Sequence, residues 1–295
     1  DLINASREKQ NLSKITTHHI NANIYDENVY KDIFSNGNTL NVFQFASPPM
    51  RKMLKDAEPD RFEDLIALVS LFRPGPMDNI PSFIARKKGI EPIVHLDVNC
   101  QALIDILEPT YGIIVYQEQV MQIAQAYAGY TLGGADLLRR AMGKKKPEEM
   151  AKQKGVFVEG AVKNGYSEEK AIEIFELMEK FAAYGFNKSH AAAYALVSFQ
   201  TAWLKKYYPA QYLTAVLNSQ IGENKNKDIY ISLEDARLNG LNVLPIDINF
   251  SYQKFVIDEN HNIRMPFTVI KGVSKAQISQ IINNREKLRE DNLLE

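Results

Sequence analysis

From Tyr116 to Tyr208 the chain is a succession of helix-period apolar runs, broken only at glycine, at proline and at a lysine triplet. This pattern commits most of the chain to helix. YQEQVMQIAQAYAGY (116–130) repeats apolar residues at steps of three and four, and its last turns meet Gly129. TLGGADLLRRAMG reads as a short helix ending near Gly143. Pro147 with Glu148 and Glu149 opens the next, because proline suits a first helical turn and acids suit its positive dipole end. EEKAIEIFELMEKFAAYGF is amphipathic, with Gly185 expected in the left-handed closing position and Phe186 packing back on the helix. Asn187 then caps KSHAAAYALVSFQTAWLKKYY, whose alanine-rich first turns let another body approach closely. Upstream, RFEDLIALVSLF (61–72) has helical spacing and halts at RPGP, where two prolines and a glycine oppose continuation.

After Gly222 the character changes. NVLPIDIN, KFVID and NIRM are short and strand-like, so strand is expected only in pieces near 39–46 and within 242–266. A length of 295 residues suffices for one large domain or two smaller ones. No apolar run approaches bilayer length and no signal-like start is present, so neither membrane nor export is suggested and a cytoplasmic protein is expected. The single cysteine, Cys100, has no partner for an internal disulfide and no neighbouring metal ligand in VNCQAL, and reads as a reduced core thiol. The chain begins at Asp1 and stops inside a charged, helix-like run, which suggests a piece of something longer.

A net charge of −1 hides local asymmetry. LLRRAMGKKKP places five cations between Arg139 and Lys146 with no acid among them. Guanidinium forks match phosphate oxygens and lysines add mobile charge, a mixture suited to a polyphosphate. The alternative is a solvated helix end whose cations favour the negative dipole. In GFNKSHAAAY, a cap at Asn187 would leave N–H groups pointing outward beside Lys188, Ser189 and His190, an anion site; His190 and Tyr194 share a helical face. A helix–helix corner with a core tyrosine is the competing reading. The stiff RPGP turn would hold Arg73 in place, or be a structural turn alone.

Several chemistries find no support. Two-metal nucleotidyl transfer needs closely paired carboxylates, and the chain has no Asp-x-Asp; Asp56, Glu58 and Asp60 read as a solvated helix end and the cap of the next helix. His18 and His19 lack an acid at metal spacing, and no phosphate-loop or dinucleotide glycine motif occurs.

ALVSLFRPGPM, EPTYGIIVYQEQVMQIAQ, GYTLGGADLLRRAMGKKKPEEM, FAAYGFNKSHAAAYALVSFQTAWLKKYYPAQY and LPIDIN, in this order, resemble the bacterial DNA polymerase III alpha subunits, the C-family replicative polymerases, from about Asn41 to Lys275. The resemblance implies a mainly α, multi-helical fingers domain with a few short strands and the start of a helix-hairpin-helix region. It implies that residues 1–45 follow the palm, 46–222 form the helical fingers core and 223–295 the outer fingers. Arg139 and Arg140 would grip the triphosphate of a deoxynucleoside triphosphate, with Lys144, Lys145, Lys188, His190 and Tyr194 lining the same cleft. Arg73, Lys146, Lys271 and Gly272 would contact or position primer–template DNA. Ser274 stands where the helix-hairpin-helix turn usually has its second glycine. Mg2+ is implied, held by palm aspartates outside this chain, so the chain alone is expected to be inactive. Implied partners are the rest of the polymerase, the sliding clamp and other holoenzyme subunits. The rival reading is a non-catalytic helical module that grips nucleic-acid backbone.

Overall fold

A computed structural model describes residues 1–144, 147–182, 184–222 and 226–290. Helix dominates, and the chain divides into two compact units, 52–197 and 1–51 with 198–295.

In the first unit, α1 (Phe62–Leu71) is buried along nearly its whole surface, from Asp64 through Leu65, Ile66, Ala67 and Leu68 to Ser70 and Leu71. Its N-cap is Arg61, and Asp60 does not cap it; the Asp64 carboxylate instead accepts from the Asp60 backbone N–H at 3.3 Å. The fully buried Asp64 also meets Arg61 Nε at 3.1 Å, Lys87 Nζ at 3.2 Å and the Tyr111 hydroxyl at 3.1 Å. Several donors on one carboxylate offset the cost of burying it. Lys87 and Lys88, basic on paper, are matched by Asp60 and Glu58.

The core of this unit forms around α2 (Gln117–Ala128), α3 (Leu132–Lys144), α4 (Pro147–Lys163) and α5 (Glu168–Ala182). Val120, Ile123, Ala124 and Tyr127 of α2 are buried, the spacing of one helical face. Gly129 closes α2 in the left-handed conformation, φ 69°, as expected. Where α4 crosses the end of α2 the backbones nearly touch: a Cβ on Gly160 would stand 2.2 Å from the Ala128 carbonyl oxygen. Cys100 is buried in this core and accepts from the Tyr166 hydroxyl at 3.2 Å. After α5 a short connector leads into α6 (Lys188–Tyr207), whose residues from Ser198 onward belong to the second unit.

The second unit packs α7 (Pro209–Ser219) and α8 (Asn226–Leu238) against a small sheet, with Leu213, Leu217, Leu233, Ala236, Phe255 and Ile263 in its core. The strands are β1 (Val243–Leu244), β2 (Val256–Ile257) and β3 (Ile263–Arg264), ordered β1-β3-β2, with β1 parallel and β2 antiparallel to β3. All three lie where strand was expected after Gly222. The strand expected at 39–46 is not formed. Asn41 (φ 61°) and Gln44 (φ 65°) take left-handed conformations, and Thr39 Oγ1 donates to the Phe45 carbonyl at 2.7 Å, folding the segment into turns. Lys205 of α6, buried, donates to the carbonyls of Asn38 and Leu40 and to Asp235 Oδ1, at 3.0, 2.8 and 2.8 Å. His19 packs edge-on against Trp203, with ring centroids 5.8 Å apart.

Near the C-terminus, Gly272 has φ 87° and stands exposed beside Lys271. Ser274 Oγ accepts from the Gln277 N–H at 3.2 Å, and Gln277 Oε1 accepts from the Ser274 N–H at 2.9 Å. This reciprocal pair opens α9 (Lys275–Glu290) and gives the residue in the second-glycine position a capping task.

Candidate functional site

The site grows from the start of α2. Gln119, buried, turns its side chain back so that Oε1 accepts from Val115 N and Tyr116 N at 2.8 and 3.0 Å, which fixes the loop entering the helix. The two preceding side chains therefore project in set directions. Gln117 Oε1 accepts from Arg139 Nη1 at 3.3 Å, and its Nε2 donates to the Gly185 carbonyl at 3.0 Å. Glu118 accepts from the Asn187 side chain at 3.1 Å and from the Lys188 backbone N–H at 3.0 Å. Backbone bonds close the same seam, from Gln117 N to Phe186 O at 2.9 Å and from Phe186 N to Val115 O at 3.1 Å.

Arg139 and Arg140 stand one helical turn beyond Asp136, and both engage it. Arg139 Nε and Nη2 reach Oδ1 at 3.0 and 2.8 Å; Arg140 Nη2 reaches Oδ2 at 2.7 Å. The hydrogen bond from Arg139, together with the charges of both arginines, holds the Asp136 carboxyl below the ordinary carboxylate range. Arg73 is clasped, as the stiff turn suggested. Its Nε donates to Ser70 O at 3.0 Å, its Nη2 donates to Tyr184 O, and its guanidinium lies 4.6 Å from the Phe186 ring centroid. Burial lowers the pKa of this arginine from its ordinary value.

At the start of α6, Asn187 caps as expected, its Oδ1 accepting from His190 N at 2.7 Å. The expected open N–H groups are a different matter, since Lys188 N is already satisfied by Glu118. Gly185 does not take the left-handed closing conformation: it is absent from the positive-φ glycines. Its lack of a side chain makes room for Gln117, whose Cγ would lie 3.1 Å from a Cβ there. His190 and Tyr194 do meet, with ring centroids 4.3 Å apart, and Phe186 joins them at 5.6 Å from His190. Lys188 Nζ lies 5.4 Å from the Tyr116 ring centroid. The structure thus links Arg73, Arg139, Arg140 and the Lys188–Tyr194 face through Gln117, Glu118 and the Tyr184–Phe186 connector. Lys144 is exposed at the end of α3, and Lys145 and Lys146 lie outside the described residues. Lys271 and Gly272 belong to the second unit.

Tyr116, Gln117, Glu118 and Asp136 were not singled out from the sequence. Asp136 carried a signal, since it stands three and four residues before the arginine pair. Gln117 and Glu118 carried none beyond their polarity at a helix start, because their partners lie 22 to 70 positions away.

A family model described as the bacterial DNA polymerase III alpha subunit finger domain matches residues 1–165. The chain belongs to that family. A second model, the helix-hairpin-helix motif, matches residues 240–292, the part that holds the Gly272 turn and α9. Relatives named DNA polymerase III subunit alpha include one from Xylella fastidiosa strain 9a5c, 57% identical over 256 residues, covering 87% of this chain and 21% of the relative. Another, from Neisseria meningitidis serogroup B strain MC58, is 55% identical over 263 residues, covering 88% and 22%. The Escherichia coli K12 relative is 54% identical over 260 residues, covering 87% and 22%. This finger-domain chain therefore spans about a fifth of the length of the curated relatives it matches. Among its described residues no helix is long and apolar enough to cross a membrane.

Proposed function

We propose that this chain is the fingers portion of a replicative DNA-directed DNA polymerase and that its first unit binds and positions the incoming deoxynucleoside triphosphate. The observation that carries this reading is the Arg139–Gln117–Gly185 bridge, which ties an arginine pair to the connector that leads into Asn187 and Lys188. Two guanidinium forks that share the Asp136 carboxylate, and a positive helix end met by Glu118, suit a ligand with several phosphate groups. When a primer 3′-hydroxyl attacks the alpha phosphorus, negative charge grows on the departing pyrophosphate. Donors already in place stabilise that state more than the ground state.

Lys144, Lys145, Lys188, His190 and Tyr194 would line the same cleft. Primer–template DNA would be positioned by Arg73, acting through the connector it clasps, and by Lys146, Lys271 and Gly272. The exposed left-handed turn at Gly272 supports backbone contact with phosphate. Mg2+ does not fit the carboxylates of this site. Asp136 faces two guanidinium groups, Glu118 faces a helix start and Asp64 faces Arg61 and Lys87. Its ligands would lie in the remainder of the polymerase, so this chain alone is expected not to extend a primer. The same reading supplies the other partners, namely the rest of the polymerase, the sliding clamp and holoenzyme subunits in the bacterial cytoplasm.

The test is kinetic. In the intact polymerase, Arg139→Ala or Arg140→Ala is expected to lower incorporation efficiency by about ten- to a few hundred-fold, the worth of one hydrogen bond to a charged group. Primer–template affinity should change little. A module that only grips nucleic-acid backbone would show the reverse: weaker DNA binding, a shallower salt slope and unchanged nucleotide dependence.

A further inference from the structure

The two adjacent arginines are not equivalent. Arg139 uses Nε, Nη1 and Nη2, on two different partners, and its side chain is 26% exposed. Arg140 is engaged by Asp136 through Nη2, and its side chain is 62% exposed. For a phosphate to take Arg139 away, two hydrogen bonds to one Asp136 oxygen and a bridge to the connector must break together. To take Arg140 it need only outcompete one carboxylate oxygen at the surface, where an ion pair has little net worth. A triphosphate offers more charge and more acceptor oxygens than that single oxygen.

Gln117 is what makes Arg139 different. Guanidinium can only donate and a backbone carbonyl can only accept, so its two partners fix the orientation of the Gln117 amide: oxygen to Arg139, nitrogen to Gly185. The Gly185 backbone leaves space for it, and the Gln117 backbone N–H is itself bonded to Phe186 O. The place of Arg139 is therefore referred to the connector before α6 and not to α3 alone.

Resting on the nucleotide reading above, we propose that the pair divides its work. Arg140 leaves Asp136 to take the incoming phosphate, and Gln117 is a positioning residue that acts through Arg139. Arg139, held by Asp136 and Gln117, keeps α3 and the α6 entry in register while Arg140 changes partner. Asp136 retains Arg139 on one oxygen throughout, so the carboxylate is never left without a cation.

The experiment measures single-nucleotide incorporation against deoxynucleoside triphosphate concentration in the full-length polymerase at saturating primer–template. Arg140→Ala should raise the nucleotide KM by about ten- to a hundredfold. Gln117→Ala should raise it by about fivefold alone, add nothing further in an Arg139→Ala background, and add fully in an Arg140→Ala background, the pattern of a residue coupled to one arginine only. Gln117→Glu loses the donor to Gly185 but keeps an acceptor for Arg139 on a backbone whose N–H still bonds Phe186 O, and should recover part of the loss. This variant also serves where Gln117→Ala fails to fold. If Gln117→Ala adds fully to Arg139→Ala, or if Gln117→Glu is as damaging as Gln117→Ala, Gln117 only braces the connector and the division of work is wrong. If Arg139→Ala and Arg140→Ala both leave the nucleotide KM unchanged, the nucleotide reading itself fails and takes this inference with it.

Discussion

Glu118 Oε2 accepts from the Lys188 backbone N–H at 3.0 Å, so the first turn of α2 supplies an anion to the first turn of α6. Its other oxygen takes the side chain of Asn187, the residue that caps α6 from within. A carboxylate at a helix N-terminus gains both a hydrogen bond and the favourable end of the dipole. Glu118→Ala should therefore cost about 0.5–2 kcal/mol of stability, read from urea unfolding of this chain. Equal stability of the two proteins would mean that the contact carries no weight in solution.

Two glycines of α4 make a matched pair. A Cβ on Gly160 meets the Ala128 carbonyl oxygen at 2.2 Å, whereas one on Gly155 meets nothing within 4 Å. Gly155→Ala should stabilise by up to about 1 kcal/mol through helix propensity. Gly160→Ala gains the same propensity but forces two backbones apart, for a net loss of about 1–3 kcal/mol. Thermal melting of both variants checks the opposite signs, and a stabilised Gly160→Ala would refute the close crossing.

In the second unit, Lys205 and Asp235 form a buried ion pair that Asn41 and Asn239 also join through Asp235. Burial pushes the Lys205 ammonium below its ordinary pKa, and Asp235 pulls it partly back. Removing either partner alone leaves an uncompensated charge, so Lys205→Met or Asp235→Leu should each cost about 3–5 kcal/mol. The double variant should cost clearly less than the sum. An additive result in the mutant cycle would show that the two charges do not interact.

Asp136 predicts a pH signature. Its folded pKa lies below the ordinary 3.8, chiefly through the Arg139 hydrogen bond. The ionised form is thus favoured by folding. The contribution is fully present above the unfolded value and is lost as pH falls through the folded one. The melting difference between the wild type and Asp136→Asn should be constant above about pH 5 and shrink below about pH 4. A difference that varies between about pH 6 and 8 would point to some other group.

The sequence alone determined what depends on neighbours along the chain. The helical runs from 61 to 72 and from 116 to 208 have apolar faces at spacings that helix geometry brings together. The stop at RPGP follows from proline and glycine themselves, and the Asn187 cap from a bond that spans three residues. Even the Asp136–Arg139–Arg140 cluster is local, since a helix places i, i+3 and i+4 side by side whatever surrounds it. Tertiary structure decided the rest. Gln117 finds Gly185, Glu118 finds Lys188, Gly160 meets Ala128 and Lys205 meets Asp235 only after helices dock, and a period of 3.6 carries no information about which faces will meet. The same limit explains two of the local expectations that failed. Gly185 was needed for the space it leaves to Gln117 and not for its left-handed freedom. Residues 39–46 turn because the carbonyls of Asn38 and Leu40 are drawn onto the buried Lys205, and the Asn41 side chain onto Asp235.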